Sequence, residues 1–310
     1  MTDVLLVSLG STGGWRAADA QLAGSIERAG ATVALVTAAP QRDVRTFALT
    51  DLAWARAARV AAQRGIAEHE PRAIVYSTTT AALLWPRPGA IRFDTLARDS
   101  RPGRHGLWQR PLERRRLAQA PLLVPMTPDQ PGVTVPVPVE PSGAARERDL
   151  AAVAYVPDPV KRRLDVLLAA WDAARHEGEE LVVEGAVGTP PEGVRFAGRV
   201  SAEEFRALLR RARLFVAAPA REDYGIAPLE ALADGCVLVT TPAIGPYPAA
   251  AIARAIDPRL VTDDLASGIR AALDDPPADF AARAAAALAP YRRAAVDRVV
   301  ADELLPRLLG

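Results

Sequence analysis

The chain has 310 residues, of which 50% are hydrophobic and 24% are charged, and its formal net charge at neutral pH is +1. This length suits two domains of ordinary size, and this hydrophobic content excludes a largely disordered chain. A nearly neutral charge with 5% aromatic residues and no known nucleic-acid-binding motif argues against a nucleic-acid partner.

The chain contains no signal that predicts a membrane span or a secretory leader. No run of 18 uncharged apolar residues occurs, and the start MTDVLLVSLG passes directly from Asp3 into a strand-like run. The single cysteine, Cys236, lies in an apolar run and cannot form an internal disulfide. These features predict a cytoplasmic protein.

The first residues show the alternation of strands and helices that is typical of a Rossmann-like domain. VLLVSLG (4–10) predicts a buried strand, STGGWR a turn, residues 17–29 a helix, and ATVALVTAAP (31–40) the next strand. Backbone N–H groups at such a turn can receive a phosphate or a sugar, and Gly13 and Gly14 let the backbone approach closely. The spacing does not match a dinucleotide-binding fingerprint, so NAD binding is not predicted, and a plain tight turn is the alternative.

The alternation continues with a predicted helix over 44–69 and strands over 72–79, 90–95 and 120–127. Between the last two strands, residues 98–116 form the most basic segment of the chain. Its cationic residues are Arg98, Arg101, Arg104, His105, Arg110, Arg114, Arg115 and Arg116. The segment favours contact with an anionic acceptor or an anionic membrane surface. The alternative is a solvated loop and helix whose arginines pair with local acids.

Residues 128–149 are rich in proline and charge, which predicts a linker. A second alternation follows, with predicted strands over 150–158, 180–186 and 194–200, helices over 161–176 and 202–212, and C-terminal helices over 263–274, 277–288 and 291–309. We therefore predict one domain over 1–142 and a second over 143–310, with the last helix a candidate to pack back on the first domain.

The stretch from Leu214 to Thr241 predicts a strand, a polar loop, a short helix and a second strand. Pro228 suits the first turn of the helix and Gly235 its C-cap. Glu222 and Glu230 are separated by seven residues, one at the start of the loop and one in the first helical turn, so both can face a pocket at the carboxyl edge of a parallel sheet.

Three segments resemble the retaining glycosyltransferases of family 4: PAREDYGIAPLEALADGCVLVTTP (219–242), VAYVPDPVKRRLDVLLAAW (153–171) and VRFAGRVSAEEFRALLRRARLFV (194–216). The resemblance covers the second domain nearly end to end and the first only by layout. It implies an α/β chain of two Rossmann-like domains facing each other across a cleft, the glycosyltransferase-B fold. The first domain would bind the acceptor and the second a nucleotide sugar.

The resemblance also implies roles for particular residues. Glu222 would contact hydroxyls of the donor sugar, Glu230 the ribose, and Lys161 with Arg162 the phosphates. The backbone of residues 224–226 and the following helix start would form a cradle for the sugar and the distal phosphate. The candidates are, for catalysis, Lys161, Glu222 and His105; for the donor, Gly13, Gly14, Arg162, Arg199, Asp223, Tyr224, Gly225, Ile226 and Glu230; and for the acceptor, Asp94 and His105.

The implied reaction moves a sugar from a nucleoside-diphosphate sugar to an acceptor hydroxyl with retention of configuration. It needs no metal and no other cofactor, because the leaving phosphate draws the proton from the acceptor hydroxyl. The family's usual phosphate-binding arginine is replaced here, in the region of Tyr155, Val156 and Pro157. This replacement motivates one alternative, a non-catalytic protein that binds sugar nucleotides. The other alternative is a nucleotide-sugar epimerase or phosphorylase on the same fold.

Overall fold

The structure is a computed structural model that describes residues 2–42, 44, 46–144 and 146–310. In that part of the chain the strands form two five-stranded sheets, with parallel pairing throughout. The predicted α/β fold with two Rossmann-like domains is confirmed. Arg45, in the predicted helix 44–69, and Ala145, in the predicted linker, lie outside the described residues.

The chain folds into two compact units, each built around one of the sheets. The first comprises Met1–Pro138 with Tyr291–Gly310, and the second comprises Val139–Pro290. The sequence predicts the boundary four residues later, after residue 142, and assigns 291–310 to the second domain.

The first unit contains the strands β1 (Val4–Ser8), β2 (Val33–Thr37), β3 (Ala73–Tyr76), β4 (Ala90–Phe93) and β5 (Leu123–Pro125). Its helices are α1 (Gly13–Arg28), α2 (Phe47–His69), α3 (Thr79–Ala82), α4 (Ala97–Ser100), α5 (Gln109–Gln119), α12 (Arg293–Val299) and α13 (Leu305–Leu309). Both faces of the sheet are buried, which is why β1 is apolar at every position but its last.

Alternate residues of β1 enter two different cores. Leu5 and Val7 pack in the cluster that includes residues of α2, whereas Val4 and Leu6 pack in the cluster that includes α1 and α12. The C-terminal residues join this second cluster through Val296 and its neighbours. Their attachment explains why 291–310 belong to the first unit.

The predicted linker differs from expectation. Valines 133, 135, 137 and 139 are buried, with at most 3% of their surface exposed. The N–H groups of Val133 and Val135 donate to carbonyls of Leu123 and Pro125, at 3.0 and 2.9 Å. Alternating valine and proline therefore forms an ordered extended segment along β5, because period-two burial suits an edge strand and proline needs no ladder hydrogen bond there.

The second unit contains the strands β6 (Leu150–Tyr155), β7 (Leu181–Glu184), β8 (Val194–Gly198), β9 (Ala212–Ala217) and β10 (Val237–Thr240). Its helices are α6 (Leu164–Ala174), α7 (Ala202–Arg211), α8 (Ile226–Ala233), α9 (Pro248–Ile256), α10 (Leu265–Asp274) and α11 (Phe280–Ala287). The strand order of this sheet is β10-β9-β6-β7-β8. The chain therefore runs outward from β6 in both directions, and the strand order reverses between β6 and β9. Ligands of such sheets bind outside the carboxyl ends of the strands at this point.

Candidate functional site

The loop after β9 and the start of α8 hold Glu222 at the reversal point of the second sheet. Glu222 is only 7% exposed, and its N–H donates to the carbonyl of Ile244 at 2.9 Å. Gly225 is the N-cap of α8, with φ +79°, and a Cβ there would lie 3.1 Å from Glu222 Cγ. A Cβ on Gly245, with φ +115°, would overlap the Glu222 carbonyl. Glycine at both positions therefore allows the backbone to close around this carboxylate.

The cation beside Glu222 is Arg162, which follows β6. Its Nη1 donates to Glu222 Oε2, and its side chain is 19% exposed. The turn before it is shaped by Asp158, whose Oδ1 accepts from the N–H of Lys161 at 3.0 Å. Lys161 itself is exposed. Of the two candidates named from sequence, the structure thus brings Arg162 to Glu222 and leaves Lys161 at the surface.

Arg163 is a positioning residue that the sequence analysis did not select. It has a left-handed backbone, with φ +47°, directly before α6. Its Nε donates to the Ala218 carbonyl at 2.6 Å and its Nη2 to Thr241 Oγ1 at 2.7 Å. Arg163 therefore joins the start of α6 to the ends of β9 and β10, and its neighbour Arg162 is held beside Glu222.

Glu230 lies in the second turn of α8, one turn further than the sequence suggests. Arg206 of α7 donates from Nη1 to Glu230 Oε1 at 3.2 Å, from Nε to Asp234 Oδ2 at 2.7 Å, and from Nη2 to the Glu140 carbonyl at 2.7 Å. Burial raises the pKa of Glu230, while Arg206 opposes that shift. The ribose candidate is thus a partly buried carboxylate with a fixed cationic partner.

The other loop candidates are also at the start of α8. Tyr224 is 5% exposed, and Ile226 is the first residue of the helix. Asp223 Oδ1 forms an ion pair with Arg221 Nη2 at 2.5 Å. Among the described residues no side chain caps the N-terminus of α8, so its first turn presents backbone N–H groups rather than a capping oxygen.

One row of residues crosses the carboxyl edge of the second sheet. Thr240 of β10 is in register with Ala217 of β9, and Tyr155 of β6 is in register with Glu184 of β7, which is in turn in register with Gly198 of β8. Tyr155 is the first of the three residues, Tyr155, Val156 and Pro157, in whose region the resemblance implies an arginine. Burial raises the pKa of its hydroxyl, Glu184 and Glu230 raise it further, and Arg162 and Arg199 lower it. Tyr155 therefore lies among the charged groups of this edge.

Tyr247 supports the same edge from the loop before α9. It is 3% exposed, and its hydroxyl donates to Thr240 Oγ1 at 3.2 Å. Burial raises the pKa of this hydroxyl to about 12. Tyr247 is therefore a neutral donor that packs beside Gly225 and Arg162.

In the first unit, Gly13 and Gly14 are the first residues of α1 rather than a loop before it. Thr12 caps this helix by accepting from the N–H of Trp15 at 3.2 Å. The glycine that the turn requires is Gly10, with φ +62°, where a Cβ would lie 2.5 Å from Thr37 Cγ2. Gly13 and Gly14 thus offer a helix N-terminus, which still suits an anion.

Asp94 and His105 lie in different elements of the first unit. Asp94 directly follows β4 at the carboxyl edge of the sheet, and it is partly buried. His105 is exposed in the 3₁₀ turn Gly103–Gly106, and its ring packs edge-on against Phe47 at 5.5 Å between centroids.

Several arginines of the basic segment 98–116 bind neighbouring parts of the first unit. Arg101 forms a two-pronged pair with Asp51 of α2, at 2.7 and 3.1 Å. Arg110 donates to the Gly103 carbonyl at 2.8 Å. Arg116 donates to the Leu83 carbonyl at 2.9 Å and stacks 5.0 Å above the Trp85 ring. The exposed arginines of the segment are Arg98, Arg104, Arg114 and Arg115.

The described residues contain neither a membrane-spanning helix nor a cluster of metal ligands. No helix in the described ranges is both long and apolar enough to cross a membrane. Among the same residues, no group of three histidine, cysteine or acidic side chains is placed to hold a metal ion.

Two doubly wound parallel units, with paired carboxylates and arginines at one carboxyl edge, are the architecture of the glycosyltransferase-B fold. Comparison with known proteins supports this class. Residues 189–288, which are 100 of the 310 in the chain, match the family model "Glycosyl transferases group 1". The matched stretch begins before β8 and contains Glu222, Glu230 and Arg206. A search of curated proteins finds no significant match.

Solved structures of this fold cover nearly the whole chain. The sucrose-phosphate synthase tll1590 from Thermosynechococcus elongatus matches with a TM-score of 0.71 and 16% identity, over 96% of each chain. Anabaena Alr3699/HepE, solved with UDP and glucose, matches with a TM-score of 0.70 and 14% identity, over 98% of this chain and 99% of that one. WaaG, a glycosyltransferase involved in lipopolysaccharide biosynthesis, matches with a TM-score of 0.65 and 14% identity, over 99% of each chain. These likenesses confirm the predicted fold, and together with the family match they support the predicted enzyme class.

Proposed function

We propose that this chain is a glycosyltransferase that moves a sugar from a nucleoside-diphosphate sugar to an acceptor hydroxyl, with retention of configuration and without a metal. The observation that carries the proposal is the pair of Arg162 and Glu222 at the reversal point of the second sheet, beside the start of α8. A nucleotide sugar needs carboxylate acceptors for its hydroxyls and positive charge for its phosphates, and this edge supplies both.

The donor would lie along this edge with its distal phosphate between Arg162 and the N–H groups of residues 224–226. Glu222 accepts from hydroxyls of the sugar, and Glu230 accepts from the ribose while Arg206 holds its other oxygen. Arg199 and Asp223 flank the nucleotide. In the first unit, Gly13 and Gly14 at the N-terminus of α1 remain the donor candidates, and Asp94 and His105 are the acceptor candidates.

During transfer, the bond between the anomeric carbon and the phosphate oxygen breaks as the acceptor oxygen bonds to the same face of that carbon. The acceptor proton passes to the leaving phosphate, so atoms and charge balance without a separate general base. Negative charge grows on the diphosphate in this step, and a cation already in place lowers the barrier. We assign that charge to Arg162. Lys161, exposed in the same turn, is the alternative that the sequence favours.

The experiment is a screen of nucleoside diphosphates and their sugars by thermal shift, followed by transfer assays with the donor that binds. A ligand present at about 100 times its dissociation constant adds about 2.7 kcal/mol to stability. Binding by the wild type, with transfer that retains configuration and survives a chelator, supports the proposal. Stable protein that binds no nucleoside diphosphate contradicts it, and inversion of the product contradicts the stereochemical part.

One alternative is supported by a specific observation. The region of Tyr155, Val156 and Pro157 lacks the phosphate-binding arginine that the resemblance implies, so the chain is a candidate for a protein that binds sugar nucleotides without turning them over. Binding of a nucleotide sugar without transfer to any acceptor in a broad panel would favour this alternative. Conversion of the donor alone would instead indicate an epimerase.

We further propose that the first unit contacts an anionic membrane or an anionic acceptor in the cytoplasm. Phe47 and Leu107 are 63% and 65% exposed, and Phe47 packs on His105 of the basic segment. Exposed apolar side chains beside exposed arginines such as Arg104 are typical of an interfacial surface.

Vesicle sedimentation tests this contact. Vesicles with anionic lipid should bind the wild type more strongly than neutral vesicles, with loss of binding at high salt. Phe47→Ser and Leu107→Ser should weaken binding, whereas Val187→Ser, at an 81% exposed position of the second unit, should not. Equal binding to both vesicle types, or equal loss in all three variants, would contradict a membrane contact.

A further inference from the structure

Glu184 is a buried carboxylate whose chemistry the proposed reaction does not use. It is the last residue of β7 and is 5% exposed. Its Oε1 accepts from the N–H of Val200 at a long 3.4 Å, and within the described residues its Oε2 has no hydrogen-bond partner. A buried polar atom without a partner is uncommon in a folded protein and requires an explanation.

The position of Glu184 in the sheet points to a ligand. Tyr155 and Glu184 are in register on neighbouring parallel strands, so their side chains leave the same face of the sheet. Tyr155 interacts electrostatically with Arg162 and Glu230 as well as with Glu184. From β9 to β7 is two strand spacings, about 10 Å. A nucleotide with its phosphates at Arg162 and its ribose at Glu230 therefore extends toward Glu184 with its base.

There is open space at Gly198, the neighbour of Glu184 in the row. Gly198 pairs with Glu184 after a register shift between Val183 and Glu184, has φ +63°, and a Cβ on it would have no atom within 4 Å. The residues that follow are Arg199, which is exposed, and Val200, whose N–H already points to Glu184. A planar base can approach this end of the row without displacing a side chain from position 198.

We propose that Glu184 recognises the base of the donor and that this base is guanine. An ionised carboxylate only accepts hydrogen bonds, and guanine presents two adjacent donors, N1–H and the N2 amino group, on one edge. Uracil and thymine present a single N–H between two carbonyl oxygens, which a carboxylate repels. Adenine and cytosine present an amino group beside a ring nitrogen that only accepts hydrogen bonds, and a carboxylate has no donor for that nitrogen. The inference rests on the proposed function, because it names the base of the same donor.

Calorimetric titration with GDP, IDP and UDP tests the proposal. The base of IDP lacks the amino group at position 2 but is otherwise that of GDP. The wild type should bind GDP more tightly than IDP, and more tightly than UDP by about tenfold or more. In Glu184→Gln the preference for GDP over UDP should largely disappear, because GDP loses its acceptor while the neutral amide no longer repels the carbonyl oxygens of uracil. Glu203→Gln, the same change at an exposed position of α7, should leave the preference intact.

The outcomes separate this inference from the proposed function. If no nucleoside diphosphate binds the wild type, the proposed function fails and the inference fails with it. If UDP binds as tightly as GDP, or if Glu184→Gln keeps the wild-type preference, the proposed function stands and the assignment of Glu184 is overturned. The comparison of GDP with IDP and UDP on the wild type needs no variant, so it decides even if Glu184→Gln does not fold.

Discussion

The guanidinium of Arg162 donates to the carboxylate of Glu222 across 60 residues of sequence. The pair links the turn after β6 to the loop after β9, the two strands between which the order of the sheet reverses. Both side chains are largely buried, so solvent screens their charges only weakly. In the proposed function, a donor phosphate would meet a guanidinium already held in place, and the attached sugar would meet the carboxylate.

Variants at Arg162 and Lys161 identify the cation that stabilises the leaving diphosphate. Arg162→Ala should lower kcat by about 10²- to 10³-fold, the usual cost of losing one preorganised charge at developing negative charge. Lys161→Ala should keep nearly full activity, because the Lys161 side chain is exposed. Steady-state transfer assays measure both effects, and thermal unfolding shows whether each variant is folded. The reverse result, a loss in Lys161→Ala alone, would assign the charge to Lys161.

Arg206→Ala should weaken nucleotide binding more than catalysis. Arg206 binds Glu230 and Asp234 together, so its loss leaves two carboxylates without their shared cation. Because the ribose is remote from the bond that breaks, KM should rise by about tenfold while kcat changes little. Arg206→Lys should recover part of the affinity, since a lysine keeps the charge but not the planar fork. A fall in kcat with unchanged KM would contradict a role in holding Glu230.

The sequence predicts the second unit well because its signals are local. The strands β9 and β10 coincide with apolar runs, and α8 lies between them with Pro228 in its first turn and Gly235 just after its end. Each of these signals is within a few residues of the element that it delimits. Arg163 and Arg206 could not be selected in this way, because Arg163 reaches Thr241 and Arg206 reaches Glu140 only after the sheet has formed. Glu184 likewise resembles any charged strand end until its neighbours in the row are known.

The basic segment shows a different limit of sequence reasoning. Composition gives the number of arginines but does not identify their partners. The partner of Arg101 is Asp51, which lies 50 residues away in the sequence. The structure thus binds part of the segment within the first unit, to Asp51 and to backbone carbonyls, and leaves other arginines at the surface.

Asp51→Ala should destabilise the first unit. Asp51 is 6% exposed and accepts from Arg101 and from Gln109 of α5, so its removal leaves a guanidinium and an amide without their acceptor. Because Arg101 is 30% exposed, we expect a loss of about 2 kcal/mol rather than the larger cost of a fully buried pair. Glu68→Ala, which removes a carboxylate that is 62% exposed, should change stability little. Denaturant unfolding measures both variants, and equal effects would contradict the role of Asp51.

Glu184→Gln should stabilise the free protein at neutral pH, and the gain should shrink as the pH falls. Burial raises the pKa of Glu184 above its ordinary value of 4.5, so the folded state binds its proton more tightly than the unfolded state does. The stabilisation that results from binding this proton is fully present below pH 4.5 and is lost as the pH rises through the pKa of the folded state. Glutamine stays neutral throughout and keeps the acceptor for the Val200 N–H. Denaturant unfolding at about pH 7.5 and about pH 5 should therefore show the larger difference from wild type at the higher pH. Glu203→Gln, at an exposed position, should show no such dependence. If the difference between Glu184→Gln and wild type is constant or grows at low pH, Glu184 is not a buried carboxyl group with a raised pKa.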